Sequence, residues 1–178
     1  MVTAKASYTA GIMATHRATE MLRPPEERVC QDPFAVHFLS PEFAAILKDR
    51  EQLVALARQS AQRLPGINGA VVARVRFIDE IVLQYVEEGL AQIVILGAGY
   101  DSRAYRIESI KENVTVFEVD HPYTQQIKIQ KIADILGEKP RHVKYIPVDF
   151  TRDDLQNCLL KNSYDPAKRT LFIMEGLT

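Results

Sequence analysis

Gln92-Ile93-Val94-Ile95-Leu96-Gly97-Ala98-Gly99-Tyr100-Asp101-Ser102 decides the fold. Its first five residues carry no charge and are rich in β-branched side chains, the composition of a strand buried on both faces. The glycines that follow allow a tight turn and leave the backbone open to a ligand. A strand of that kind belongs to a parallel sheet, whose next strand must return through a crossover. Downstream the pattern repeats. Val114 to Val119 is a second apolar run ending in an acid, Val143 to Val148 a third, and Thr170 to Met174 a fourth. Helices fit Pro122 to Leu136, closed by Gly137, and Asp153 to Leu160. Strands alternating with helices predict an α/β fold built on a parallel sheet.

Upstream of this stretch the rhythm is helical. One helix fits Ser7 to Leu22, ended by Pro24-Pro25, since proline cannot continue a helix. Asp32-Pro33 opens a short one through Phe38, and Pro41 opens a longer one that breaks at Leu64-Pro65-Gly66. From Asn68 to Glu88 runs the clearest amphipathic helix, with Val71, Val72, Val75, Ile78, Val82 and Tyr85 on one side and Gly89 as C-cap. The expected organisation is therefore a helical extension over residues 1–90 and a sheet-bearing core over 91–178.

Composition narrows the function classes. With 22 Lys and Arg against 23 Asp and Glu, the formal net charge is −1, and no basic stripe points to nucleic acid. No apolar run approaches the roughly 18 residues a bilayer demands, and the first residues lack a signal peptide's apolar core. Cys30 and Cys158 stand far apart with no second pair, so neither a disulfide framework nor a metal site is expected. A reduced, cytoplasmic protein is the default expectation.

In parallel sheets ligands bind outside the carboxyl ends of the strands, so the residues just after each strand are the candidates. Gly97-Ala98-Gly99 follows the first. A dinucleotide fingerprint places Gly or Ala at the sixth position, near a pyrophosphate; here that position is Ser102, preceded by Asp101. An acid there repels a pyrophosphate and tolerates a cationic cofactor without phosphate, such as S-adenosylmethionine. Asp120, 23 residues after Gly97, stands near the spacing at which an acid takes ribose hydroxyls. Together with the glycine turn this favours the ribose role over the plainer alternative of an acid at a helix N-terminus. Glu118, two residues earlier, reads as structural. Asp149-Phe150 at the third strand end could hold an adenine amino group and ring, or Asp149 could cap a helix. Glu175 ends the fourth strand, where residues face a reacting centre.

Ile95-Leu96-Gly97-Ala98-Gly99-Tyr100-Asp101-Ser102-Arg103, Phe117-Glu118-Val119-Asp120-His121-Pro122, Val148-Asp149-Phe150 and Met174-Glu175-Gly176-Leu177-Thr178 resemble the leucine carboxyl methyltransferase family, in its bacterial branch of S-adenosylmethionine-dependent O-methyltransferases. Thr9-Ala10, His16-Arg17-Ala18, Asp32-Pro33-Phe34-Ala35 and Ala73-Arg74-Val75-Arg76-Phe77-Ile78-Asp79 resemble its helical lead-in. The resemblance implies a Rossmann-like class I methyltransferase sheet, of which this chain supplies the first four parallel strands. It implies that Gly97, Gly99 and their turn hold the methionine part of the cofactor. Asp120 would take the ribose, Asp149 and Phe150 the adenine, Arg74 the carboxylate, with Arg17 a looser match, and Glu175 the surroundings of the amino group. Tyr100 and Arg103 would brace the turn, and no catalytic residue is assigned.

The family continues beyond this motif with a Tyr-Leu and further strands, so the sequence reads as C-terminally truncated, with an open sheet edge that invites self-association. The expected function is methyl transfer to a carboxylate or hydroxyl oxygen of a small-molecule or peptide acceptor. Two alternatives stand beside it: a non-catalytic cofactor- or partner-binding module, and an NAD-dependent oxidoreductase.

Overall fold

In a computed structural model that describes residues 3–176, β1 (Gln92–Leu96) lies between β2 (Thr115–Asp120) and β4 (Thr170–Met174), with β3 (Val143–Pro147) beyond β2. All three pairings are parallel; Val94 stands opposite Phe117 on one side and Phe172 on the other. The order β3-β2-β1-β4 reverses direction at β1. Such a reversal leaves a crevice between the connections that depart to opposite sides, and in open α/β sheets that crevice takes the ligand.

The helices are α1 (Thr3–Glu20), α2 (Pro41–Ile46), α3 (Arg50–Arg63), α4 (Ile67–Glu87), α5 (Arg103–Arg106), α6 (Glu108–Asn113), α7 (Pro122–Leu136) and α8 (Leu155–Lys161). Sequence and structure agree on β1, β4 and α7, and α7 ends at Gly137 in the left-handed region (φ 78°). Three segments differ. The single helix expected from Pro41 is two, because Asp49 turns its carboxylate onto the N–H groups of Glu51 and Gln52 and starts a new helix. The helix expected after Asp32-Pro33 is a 3-10 turn over Ala35–Phe38, tied by Asp32 to the N–H groups of Phe34 and Ala35. Between β1 and β2 stand α5 and α6, too short to write a 3.6-residue period into the sequence. Met1, Val2 and the motif residues Leu177 and Thr178 lie outside the described residues.

One face of the sheet packs Ile93, Ile95 and Val116 against Ala14 and Ala18 of α1, Phe38, Val82 of α4, Tyr105 of α5 and Ile132 of α7. Both halves of the chain thus share one core, each large apolar side chain contributing about 1.5–3 kcal/mol on burial. The other face sets Val94, Phe117, Val119, Ile146 and Val148 against Leu159 of α8, whose Cys158 packs at the margin. Cys30 is buried with Val72 and Val75 under α4. Phe172 and Met174 of the edge strand β4 are exposed on this second face. Among the described residues no helix is long and apolar enough to cross a membrane.

A charged pair sits inside this packing. Glu118 of β2 is fully buried, with Lys128 Nζ of α7 2.8 Å from its Oε2 and the Tyr105 hydroxyl donating to its Oε1 at 2.8 Å. Burial pushes the Glu118 carboxyl above its ordinary value, while Lys128 pulls the other way. Breaking one side of a buried pair leaves the other charge stranded. Lys128→Met is expected to lower stability by about 3–5 kcal/mol, and Lys128→Met with Glu118→Leu to recover most of it. Urea unfolding of the three proteins checks this; equal losses in the single and double variants would contradict it.

Candidate functional site

The carboxyl ends of β1, β2 and β4 open into a cavity of about 440 Å³, covered by Thr9, Ala10, Met13 and Arg17 of α1 and by Arg74 and Val75 of α4. Its floor is the turn after β1. Gly97 and Gly99 adopt positive φ (63° and 44°), which L side chains rarely tolerate. At Gly99 space matters as well, since a Cβ would stand 3.3 Å from that of Ala10. The turn hangs from β2: Ala98 N–H donates to Val119 O at 3.0 Å, and Gly99 N–H donates to Asp120 Oδ2. The other Asp120 oxygen accepts from His121 N–H at 2.6 Å. Asp120 thereby holds the turn with one oxygen and the start of α7 with the other. Each oxygen retains a second lone pair for a ligand hydroxyl.

Arg103 organises the inner wall. Its side chain is 4% exposed and donates to Asp79 of α4 (2.7 Å), to Asp101 of the turn, to Glu175 after β4 (3.0 Å) and to Val75 O (3.4 Å). Arg106 also donates to Asp79 (2.7 Å) and to Ser102 Oγ (3.0 Å). The remaining Glu175 oxygen takes the Arg74 guanidinium at 2.9 Å, joining α4 to the end of β4 across the cavity. Arg17 is held from behind, its Nε on Asp32 (2.7 Å) and a terminal nitrogen on Tyr100 O (2.6 Å), while the Tyr100 ring stacks on Phe38 at 4.8 Å.

Arg74, Gly97, Gly99, Asp120 and Glu175 therefore meet at one cavity. Asp149 and Phe150 do not line it. They follow β3, one strand beyond Asp120; the Asp149 carboxylate accepts from the N–H and hydroxyl of Thr151 at 3.0 and 2.6 Å, and the Phe150 side chain is exposed. His121 sits at a strand–helix junction, its ring accepting from Tyr123 N–H. Contrary to the expectation that it repels a pyrophosphate, the Asp101 carboxylate is turned onto Arg103 and neutralised there, so it presents no bare repulsion to a phosphate. The structure adds an α1 wall to the expected site: Thr9, Met13 and Arg17 recur four apart in the sequence, on one helical face, and all three line the cavity.

A family model described as leucine carboxyl methyltransferase matches residues 10–178. The chain belongs to that family. A protein of Rhodococcus jostii, provisionally named an S-adenosyl-L-methionine-dependent methyltransferase, is 34% identical over 180 residues, which cover 99% of this chain and 57% of that protein. One of Mycolicibacterium smegmatis with the same provisional name is 32% identical over 95% of this chain and 56% of its own length. A Bacillus subtilis protein so named is 35% identical over 60% of this chain and 35% of its own length. The chain thus spans little more than half the length of the first two relatives. The Gly97–Arg103 and Asp120 motifs of this family member are the residues that build the cavity floor.

Electrostatics of that floor are measurable. Burial alone would raise the Asp101 carboxyl, but Arg103 above all, then Lys128, the Arg103 N–H and Arg106, hold it at about 2. A folded-state value below the unfolded one stabilises the fold once pH exceeds about 4, and the gain is lost as pH falls towards 2. The contribution at neutral pH is about 2 kcal/mol. Asp101→Asn is expected to flatten the fall in unfolding free energy between pH 5 and pH 2, measured by denaturant titration at several pH values; an unaltered slope would count against the pairing.

Proposed function

We propose that this chain binds S-adenosylmethionine in the cavity at the β1, β2 and β4 ends and serves methyl transfer to a carboxylate or hydroxyl oxygen of a small-molecule or peptide acceptor. The observation that carries the reading is the Arg74–Glu175 pair at the cavity rim, 2.9 Å apart, beside the glycine turn and Asp120. A guanidinium and a carboxylate side by side complement the carboxylate and ammonium of an α-amino acid. Asp120 offers acceptors to sugar hydroxyls, and the turn leaves backbone open between them. The relatives' provisional names point to the same cofactor.

In this reading Asp149 and Phe150 take the adenine. Val148 N–H donates to Asp120 O at 2.9 Å, so the chain reaches them directly beside the ribose acid. Residues 1–90 act as the cover of the site and residues 91–178 as its base. When bound, the cofactor supplies a methyl group on a positively charged sulfur that is itself a good leaving group. The tasks left to the chain are to hold the amino-acid and nucleoside ends, to align the acceptor and to keep water out under α1. A carboxylate acceptor is anionic at neutral pH and needs no base; a hydroxyl acceptor benefits from one. The open edge of β4, with Phe172 and Met174 exposed, is the surface through which self-association or a partner chain would engage.

Calorimetric titration with S-adenosylhomocysteine tests the reading, with NAD in parallel and Asp120→Ala as control. Saturable micromolar binding is expected, weakened about tenfold or more in Asp120→Ala, with no heat from NAD. Binding of NAD without binding of the homocysteine nucleoside would replace the methyltransferase reading by the oxidoreductase one.

A further inference from the structure

The two oxygens of Glu175 are held unequally. Oε2 accepts at 3.0 Å from Arg103, whose side chain is 4% exposed and is bonded as well to Asp79, Asp101 and Val75 O. Oε1 accepts at 2.9 Å from Arg74, whose side chain is 43% exposed and whose other described contact is the Met13 sulfur at 3.9 Å. One guanidinium is locked among carboxylates on three elements. The other is free to turn.

We infer that Arg103 is a positioning residue that fixes Oε2 of Glu175, so that Oε1 can exchange Arg74 for the ammonium of a bound α-amino acid while Arg74 turns to that amino acid's carboxylate. The inference rests on the cofactor reading above. It adds an anchor that stays and a latch that opens. Charge is conserved in the exchange, because one ion pair is replaced by two whose extra charges arrive together on the ligand. Without Arg103, the carboxylates of Asp79, Asp101 and Glu175 lose the one charge all three share, and Glu175 is left to Arg74 alone and free to turn away. Lysine cannot substitute, since a compact ammonium lacks the planar fork that reaches α4, the turn and the end of β4 at once.

The test uses two ligands. S-adenosylhomocysteine carries the amino-acid end; 5′-methylthioadenosine carries the nucleoside without it. In calorimetric titrations of the full chain, Arg103→Lys is expected to weaken the first by about tenfold or more and to leave the second within about threefold. Asp79→Asn loosens Arg103 from the α4 side without lining the cavity, and is expected to give the same selective loss on a smaller scale. It carries the test where circular dichroism shows Arg103→Lys unfolded. Equal losses for the two ligands, or none for either, overturn the positioning role. Failure of the wild-type chain to bind S-adenosylhomocysteine overturns the cofactor reading, and the exchange falls with it.

Discussion

A guanidinium withdrawn from water must find carboxylates, and Arg103 finds them on three elements at once. Asp79 comes from α4, Asp101 from the turn after β1, and Glu175 from the end of β4. Its own pKa is driven further up by these acids, against the burial that would lower it. No single partner suffices, because a buried charge with incomplete pairing costs several kcal/mol. The helical first half and the sheet are therefore joined by electrostatics as well as by the shared apolar core, and the join lies at the rim of the cavity.

A second constraint works from β2. Asp120 accepts from the N–H of Gly99 and from that of His121, so the turn after one strand and the helix after the next are set by one carboxylate. On the far side, Arg17 ties α1 to Tyr100 O and Asp32 to α1. The cavity floor is held from three directions before any ligand arrives. Sites assembled in this way need little reorganisation on binding, which lowers the entropy that association must overcome.

Much of this was legible in the sequence, and the division has a physical basis. Gln92–Leu96 announces itself because burial on both faces leaves no polar residue inside the run; Thr170–Met174 is as apolar and β-prone in composition, although its Phe172 and Met174 stay exposed on one face. Pro122 and Gly137 mark α7 because one fits only a helix start and the other adopts the left-handed cap. Gly97, Gly99, Asp120 and Glu175 stand out because strand ends are where ligands meet a parallel sheet. What stayed hidden depends on distance through space. Asp79 and Arg103 lie 24 residues apart, with nothing in their spacing to announce a 2.7 Å bond. The break at Asp49 and the short helices α5 and α6 were hidden for another reason, since single capping bonds and one-turn helices leave no periodic trace.

The two thiols have fared differently in this packing. Cys30 lies under α4, and its thiol is pushed by burial up to about 11, so at neutral pH it is almost wholly protonated and a poor nucleophile. Cys158 is half-buried on α8, against the face of the sheet turned away from Ala14, Ala18 and the rest of the α1 packing. A maleimide dye or spin label added to the native protein should accordingly go to one place without mutagenesis. That place watches the sheet from behind, clear of the cavity rim where the charged groups exchange partners.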